Sequence, residues 1–315
     1  MALSRRDFVK LCSGTVAGFG VSQMFHPAIH EAFAQTLTGE RPPVFWVQGQ
    51  GCTGCSVTLL NSTHPSIADV LLKIISLEFH PTVMAAEGEG AYEHMMRVAE
   101  KFKGKFIFAV EGAVPVAHEG KCCVVAEADH HEVTMTEVTK VLAANAAAVL
   151  AVGTCAAYGG IPAGKGNETG AMGVSAFLKK EGIPAPVINI PGCPPHPDWI
   201  VGTIGLGLQA LATNTLGLLV KQGLDANGRP KAFYKNVHMN CPHLSAFEAG
   251  HMVKTMSDKD GCRFSMGCKG PRSASTPSSA MEQRGQLVRQ QRHVHRLHLP
   301  DLPRRAVPLL TSTRP

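Results

Sequence analysis

The chain has 315 residues, of which 44% are hydrophobic and 17% charged, and its formal net charge is +6. This length accommodates a targeting segment and two modest domains. The chain beyond the N-terminus contains no run of about 18 apolar residues, so no membrane span is predicted there. The charge does not indicate nucleic-acid binding, because it belongs to the segment from Arg272 onward, where eight arginines accompany two acids, Glu282 and Asp301.

The N-terminus carries the pattern of an export signal. The twin-arginine consensus is matched by Ser4-Arg5-Arg6-Asp7-Phe8-Val9-Lys10, and Ala32-Phe33-Ala34 fits a cleavage site. The alternative is an ordinary amphipathic helix with a chance arginine pair. We expect a signal peptide over residues 1–34, read by the twin-arginine export machinery, and a periplasmic mature protein. This route carries folded chains, which suits a protein that acquires a cofactor in the reducing cytoplasm.

Predicted strands and helices alternate through the body of the chain. Apolar runs predict strands at Pro43–Val47, Phe106–Val110 and Val187–Ile190, and helical spacing is found in Val57–Leu60, Ile67–Leu77 and Val133–Leu150, the last merging into a strand. This alternation predicts an α/β fold with a parallel sheet and crossover helices.

Four cysteines directly follow three of these strands. Cys52 and Cys55 come after the first strand, and Cys155 and Cys193 each follow a later one. Because sites in such sheets form beyond the carboxyl ends of strands, three loops would deliver thiols to one edge. Four thiolates with neighbouring glycines favour an iron–sulfur cluster. Zinc, a disulfide and buried thiols are the alternatives.

A second group of potential ligands lies further along the chain and comprises His238, Cys241, Cys262 and Cys268. One histidine and three cysteines suit zinc in a tetrahedral site. They equally suit a cluster with one imidazole ligand, whose potential is higher than that of an all-thiolate cluster. The residues alone do not decide between these two cofactors.

Several motifs are spread along the chain from about Val44 to Pro271. They are Trp46-Val47-Gln48-Gly49-Gln50-Gly51-Cys52-Thr53-Gly54-Cys55-Ser56, Ile75-Ser76-Leu77-Glu78-Phe79-His80-Pro81, Val114-Pro115, Gly153-Thr154-Cys155-Ala156, Gly192-Cys193-Pro194-Pro195-His196-Pro197 and Gly267-Cys268-Lys269-Gly270-Pro271. Together these motifs resemble the small subunits of nickel–iron hydrogenases, and most of all the periplasmic nickel–iron–selenium branch.

The resemblance implies a fold, a cofactor set and partners. It implies a flavodoxin-like domain over 35–205 and a small, mostly irregular or helical cluster-binding domain over 206–271. Cys52, Cys55, Cys155 and Cys193 would hold a proximal 4Fe-4S cluster, and His238, Cys241, Cys262 and Cys268 a distal one. The nickel site would lie in a separate large subunit, and electrons would pass to a multihaem c-type cytochrome. A cluster-bearing subunit of the quinone-reductase type and a non-enzymatic zinc protein are the rival interpretations.

Other polar residues carry weaker expectations. Adjacent cysteines seldom ligate one cluster, so Cys122 and Cys123 are expected to be structural. Three acids could face the large subunit or relay protons, but solvated carboxylates are the simpler interpretation: Glu87, Glu89 and Glu111. Two histidines, His130 and His131, are expected at the surface, and His196 is expected to stiffen a turn.

The tail departs from the family, which needs a medial cluster with cysteines after the Cys-Lys-Gly-Pro motif. This chain has no cysteine beyond Cys268 and no aromatic residue beyond Phe264. A disordered basic tail is one explanation. Reading forward by one base from Met281 lets permitted codons encode a C-x-x-x-x-x-C-x-x-C set. We therefore expect residues 272–315 to be a frameshifted medial-cluster region, although residues 272–280 yield no fourth cysteine.

Overall fold

The computed structural model describes residues 41–62, 65–234, 238, 241–255, 258 and 260–268. The expected signal peptide, over 1–34, and the anomalous tail, over 272–315, both lie outside these residues. Within the described part of the chain, every helix is too short or too polar to cross a lipid bilayer.

A five-stranded parallel sheet forms the centre of the fold. Its strands are β1 (Pro43–Gln48), β2 (Ser76–Phe79), β3 (Ile107–Glu111), β6 (Ala148–Val152) and β7 (Val187–Ile190), in the order β2-β1-β3-β6-β7. An antiparallel hairpin consists of β4 (Val124–Ala128) and β5 (His131–Thr134). One strand flanks β1 on one side and three follow on the other, which is the flavodoxin-like order with its switch point between β1 and β3. The α/β prediction is confirmed.

Helices cover both faces of the sheet. They are α1 (Gly54–Leu60), α2 (Gly88–Lys101), α3 (Met135–Asn145), α4 (Gly153–Tyr158), α5 (Val174–Lys180), α6 (Pro197–Ala212) and α7 (Leu244–Glu248). Shorter helical turns occupy Ile67–Asp69, Val70–Ile74, His118–Gly120, Leu216–Leu218, Leu219–Gly223 and Phe264–Met266.

The core consists of two apolar layers separated by the sheet. Along β1, Val44 and Trp46 pack into the layer that includes α1 and α6, whereas Phe45 and Val47 pack into the layer that includes α2, α3 and α5. This alternation follows from the two-residue period of a strand. Each large side chain so buried contributes about 1.5–3 kcal/mol, which makes the sheet a rigid base for the residues at its edge.

Two predicted helices have different bounds in the structure. The segment Ile67–Leu77 is helical only as far as Ile74, because Ile75 is extended (φ −114°, ψ 160°) and leads into β2. Helix α3 begins at Met135, where Thr134 and Glu137 form a capping box, and it ends before β6. Continuous apolar runs do not distinguish a strand from a helix, so both boundaries were misassigned. Helix α2 and the β4–β5 hairpin were not predicted from the sequence.

Candidate metal centre at the carboxyl edge of the sheet

Four cysteines lie at the carboxyl edge of the parallel sheet. Cys55 lies in the first turn of α1, Cys155 lies in α4 directly after β6, and Cys193 follows β7. Cys52 lies in the loop between β1 and α1 and is exposed, whereas the other three are partly buried. The expected delivery by strand ends is confirmed, although short helices rather than loops carry Cys55 and Cys155.

The four thiols lie within electrostatic reach of one another. Burial strongly raises the pKa of Cys55, and Glu111, Cys155, Cys52 and Cys193 raise it further. Burial also raises the pKa of Cys155 and of Cys193, with smaller contributions from the neighbouring thiols. These three thiols therefore stay protonated at neutral pH, and they would ionise on binding a cation that offsets their burial.

Two glycines bring the backbone close to two of the sulfur atoms. A Cβ added to Gly153 would lie 2.4 Å from Cys55 Sγ, and one added to Gly160 would lie 2.7 Å from Cys155 Sγ. Both glycines have positive φ, 88° and 52°, which also disfavours a side chain there. Thiols with closely approaching backbone suit an iron–sulfur group, so the residues present fit that cofactor.

The described residues form neither a disulfide nor a compact single-ion group. All nine cysteines of the described chain are free. Among the same residues, no three His, Cys, Asp or Glu side chains are grouped so as to hold one metal ion.

Thr154 ties two of the thiol-bearing segments together. Its backbone N–H donates to Gly192 O at 2.9 Å, and its Oγ1 accepts from Gly192 N–H at 3.1 Å. Thr154 precedes Cys155 and Gly192 precedes Cys193, so this reciprocal pair of hydrogen bonds sets the spacing of the two backbones. Because Thr154 is buried, water does not compete for these bonds.

Glu111 contradicts the expectation of a solvated carboxylate, since it is only 3% exposed. Its Oε1 accepts from the backbone N–H groups of Cys55 (2.9 Å) and Ser56 (3.2 Å). Its Oε2 accepts from Ser56 Oγ, from Trp46 Nε1 at 3.1 Å and from Gln48 Nε2 at 3.3 Å. Glu111 ends β3 at the switch point of the sheet, where these donors surround it and replace water.

His80 extends this polar network. Its Nδ1 accepts from Thr82 N–H at 3.2 Å, which leaves Nε2 to carry the proton and donate to Ser56 Oγ at 3.3 Å. Its ring stacks on Trp46 with centroids 5.3 Å apart, and burial lowers the pKa of His80. The histidine is therefore neutral at pH 7. His80 lies in one of the family motifs, but its role was not predicted from the sequence.

The second ligand group is only partly assembled by the described contacts. His238 and Cys241 share one turn, in which Cys241 N–H donates to His238 O at 3.1 Å. The His238 ring packs edge-on against Phe247 (4.5 Å), which in turn packs against Phe264 (5.3 Å). Cys262, which is buried, and Cys268, which is exposed, flank the turn containing Phe264. Two aromatic rings thus connect the two halves of the group.

The remaining polar candidates lie outside both groups. Cys123 is partly buried against the core, and burial raises its pKa. Glu87 is exposed, and the likewise exposed Glu89 accepts from Asp129 N–H at 2.9 Å. His196 caps the N-terminus of α6 by accepting from Asp198 N–H at 3.2 Å. As expected, His130 and His131 are exposed.

Two protein families match successive parts of the chain. Residues 52–206 match the family described as NADH ubiquinone oxidoreductase, 20 Kd subunit. Residues 233–286 match the family described as the C-terminal part of the NiFe/NiFeSe hydrogenase small subunit. The first match is compatible with both the quinone-reductase and the hydrogenase interpretation, whereas the second favours the hydrogenase interpretation.

Relatives extend over most of the chain. The periplasmic [NiFeSe] hydrogenase small subunit of Desulfomicrobium baculatum is 52% identical over 86% of this chain and 86% of its own length. The periplasmic [NiFe] hydrogenase small subunit of Solidesulfovibrio fructosivorans is 38% identical over 85% of this chain and 80% of its own length. The solved structure of recombinant [NiFeSe] hydrogenase from Desulfovibrio vulgaris Hildenborough is 59% identical, with a TM-score of 0.79, over 85% of this chain and 96% of that one. The chain therefore belongs to the small subunits of the nickel–iron and nickel–iron–selenium hydrogenases.

Proposed function

We propose that this chain is the electron-transfer small subunit of a periplasmic hydrogenase. In this family the catalytic site lies in the large subunit, and iron–sulfur clusters are carried by the small one. The proposal is that electrons pass through such clusters between the nickel–iron site and a multihaem c-type cytochrome. The observation that carries it is the grouping of four thiols, delivered by three strands, at one edge of the sheet.

The proposed ligands follow from this grouping and from the chain order. Cys52, Cys55, Cys155 and Cys193 are proposed to hold a proximal 4Fe-4S cluster, and His238, Cys241, Cys262 and Cys268 a distal one. Bound clusters supply one-electron redox chemistry. The chain's own residues bind the irons through thiolates, fix the spacing of the ligand segments through Thr154, and orient the first turn of α1 through Glu111.

The division of the chain and its export remain parts of this proposal. Residues 1–34 are proposed as a twin-arginine signal, 35–205 as the flavodoxin-like domain and 206–271 as the cluster-binding domain. Residues 272–315 are proposed to be the frameshifted medial-cluster region. The periplasmic names of the relatives support export.

The isolated chain should not oxidise hydrogen, because the catalytic site lies in the large subunit. We expect hydrogen-dependent dye reduction only after co-expression with a large subunit, together with brown colour, iron and acid-labile sulfide in the purified small subunit. Hydrogen uptake by this chain alone would contradict the division of roles. A colourless, zinc-containing protein would instead support the non-enzymatic alternative.

The surface of α1 is proposed as part of the large-subunit interface, because this helix follows Cys52 directly and exposes apolar residues. Val57 is 54% exposed and Leu60 is 39% exposed. We expect Leu60→Asp to weaken association with the large subunit about tenfold or more. This change corresponds to a loss of about 1.4 kcal/mol or more of binding free energy. Co-purification with a tagged small subunit measures this loss.

Val141→Asp is the matched control, since Val141 is also 39% exposed but lies in α3, on the opposite face of the sheet. Its yield of complex should equal that of the unmodified chain. Equal losses in both variants would show that the effect arises from general destabilisation and that α1 is not the interface.

A further inference from the structure

The segment from Asp225 to Tyr234 folds back onto the ligand-bearing end of the sheet. Asn189, in β7, donates from its backbone N–H to Gly228 O and from its Nδ2 to Asn227 O, both at 2.8 Å. Tyr158 Oη, at the end of α4, also donates to Asn227 O, at 3.3 Å. The segment is therefore attached to the strand that leads to Cys193 and to the helix that carries Cys155.

Tyr234 reaches from this segment to the Cys193 loop itself. Its hydroxyl donates to Pro191 O at 2.7 Å in a buried environment, two residues before Cys193. Burial raises the pKa of Tyr234 well above its usual value, so the hydroxyl remains a donor at any working pH. The same loop is held from α4 by Thr154. Among the described residues that follow α6 in the chain, Tyr234 is thus the one whose side chain anchors the Cys193 loop.

The Tyr234 ring is fixed by its neighbours. The Trp199 ring lies 5.1 Å away, and the Arg229 guanidinium lies 5.4 Å from the ring centroid. Arg229 is itself held by Asp225, whose Oδ2 accepts from both Nε and Nη2 at 2.7 Å. Asp225 Oδ1 also accepts from the backbone N–H of Arg229 at 2.9 Å. A side chain restrained in this way holds the position of the carbonyl that it contacts.

We propose that Tyr234 is a positioning residue for Cys193: its hydrogen bond to the Pro191 carbonyl sets the orientation in which the Cys193 sulfur meets its cofactor. This inference rests on the proposed ligand role of Cys193. Without the hydroxyl, the Pro191 carbonyl loses a buried partner and the loop gains freedom. Outer contacts of this kind tune both the affinity and the redox potential of a bound metal group.

The test uses the assembled complex of the small and large subunits with Tyr234→Phe. We expect a ferrous chelator to remove iron roughly 5- to 30-fold faster than from the unmodified complex. This is the factor expected when the free energy of one buried hydrogen bond is lost. Redox titration followed by electron paramagnetic resonance should show a changed line shape and a shifted midpoint potential for one iron–sulfur signal. A purely structural role would lower the apparent Tm but leave the potential unchanged.

Tyr158→Phe is the matched control, because it removes a hydroxyl bonded to the same segment but not to the Cys193 loop. We expect its potential and iron-release rate to equal those of the unmodified complex. If Tyr234→Phe does not assemble, Asp225→Asn, which weakens the hold on Arg229, should give a smaller change in the same direction. The inference is overturned if the variant that assembles keeps the unmodified potential, even with faster iron release, or if Tyr158→Phe changes the potential and the release rate equally. An unmodified small subunit without any iron–sulfur signal would overturn the proposed function as well.

Discussion

Cys193→Ser should abolish most hydrogen-dependent dye reduction by the assembled enzyme. A serine hydroxyl is a poor ligand for iron compared with a soft thiolate, and Cys193 is one of the four thiols grouped at the sheet edge. Changes in the outer contacts of a metal site already cost about 10–100-fold in affinity or activity, so loss of a ligand should cost at least about 100-fold. Dye reduction and iron content of the purified complex measure this loss.

Cys122→Ser provides the control for this change. Cys122 is a free, partly buried cysteine in the same domain, but it lies outside both ligand groups. Its substitution should leave iron content and dye reduction within about twofold of the unmodified values, as is usual for substitutions away from key features. Full iron content and full activity in Cys193→Ser would refute the assignment of this cysteine as a ligand.

Glu111→Ala should destabilise the fold and reduce the iron bound at the sheet edge. The change leaves the backbone N–H groups of Cys55 and Ser56 and the indole N–H of Trp46 without their acceptor. Each buried donor left unpaired costs about 1–3 kcal/mol, so we expect a loss of roughly 3 kcal/mol or more. The apparent Tm and the iron content of the complex should both fall.

Two further variants separate the hydrogen bonds that Glu111 accepts from the negative charge that it carries. Glu111→Gln keeps the size and one acceptor oxygen, and should therefore fall between the alanine variant and the unmodified chain. Glu87→Ala removes an exposed carboxylate and should change neither quantity. If Glu111→Ala kept the original apparent Tm and iron content, the proposed anchoring of α1 would be wrong.

The sequence predicted the positions of the thiols better than the polar network that supports them. The run of apolar residues before Cys52, Cys155 and Cys193 defined buried strands, and the rule that sites form at their carboxyl ends then placed these cysteines together. The same rule applied to Glu111, which ends β3, but a lone glutamate carries no pattern that reveals five donors around it.

The contacts between residues far apart in the chain could not be predicted from the sequence, for a similar reason. Tyr234 meets Pro191, and Trp46 meets His80, only because the chain folds back and brings each segment to the same edge of the sheet. Periodicity reports which face of an element is buried, not which distant residue it contacts. The strand β2 was missed because its short apolar run continues from a helical turn without a glycine or proline between them.

The delivery of four thiols from three strand ends has a mechanical consequence. Cys52 and Cys193 are far apart in the chain, yet they contribute to one group at the sheet edge. A cofactor bonded to all four sulfurs would act as a covalent crosslink between β1, β6 and β7 and would close a long loop of chain. Such crosslinks remove conformational entropy from the unfolded state and typically stabilise a protein by about 2–4 kcal/mol. The finished protein would then be hard to unfold, which is consistent with the proposed export route for chains already folded.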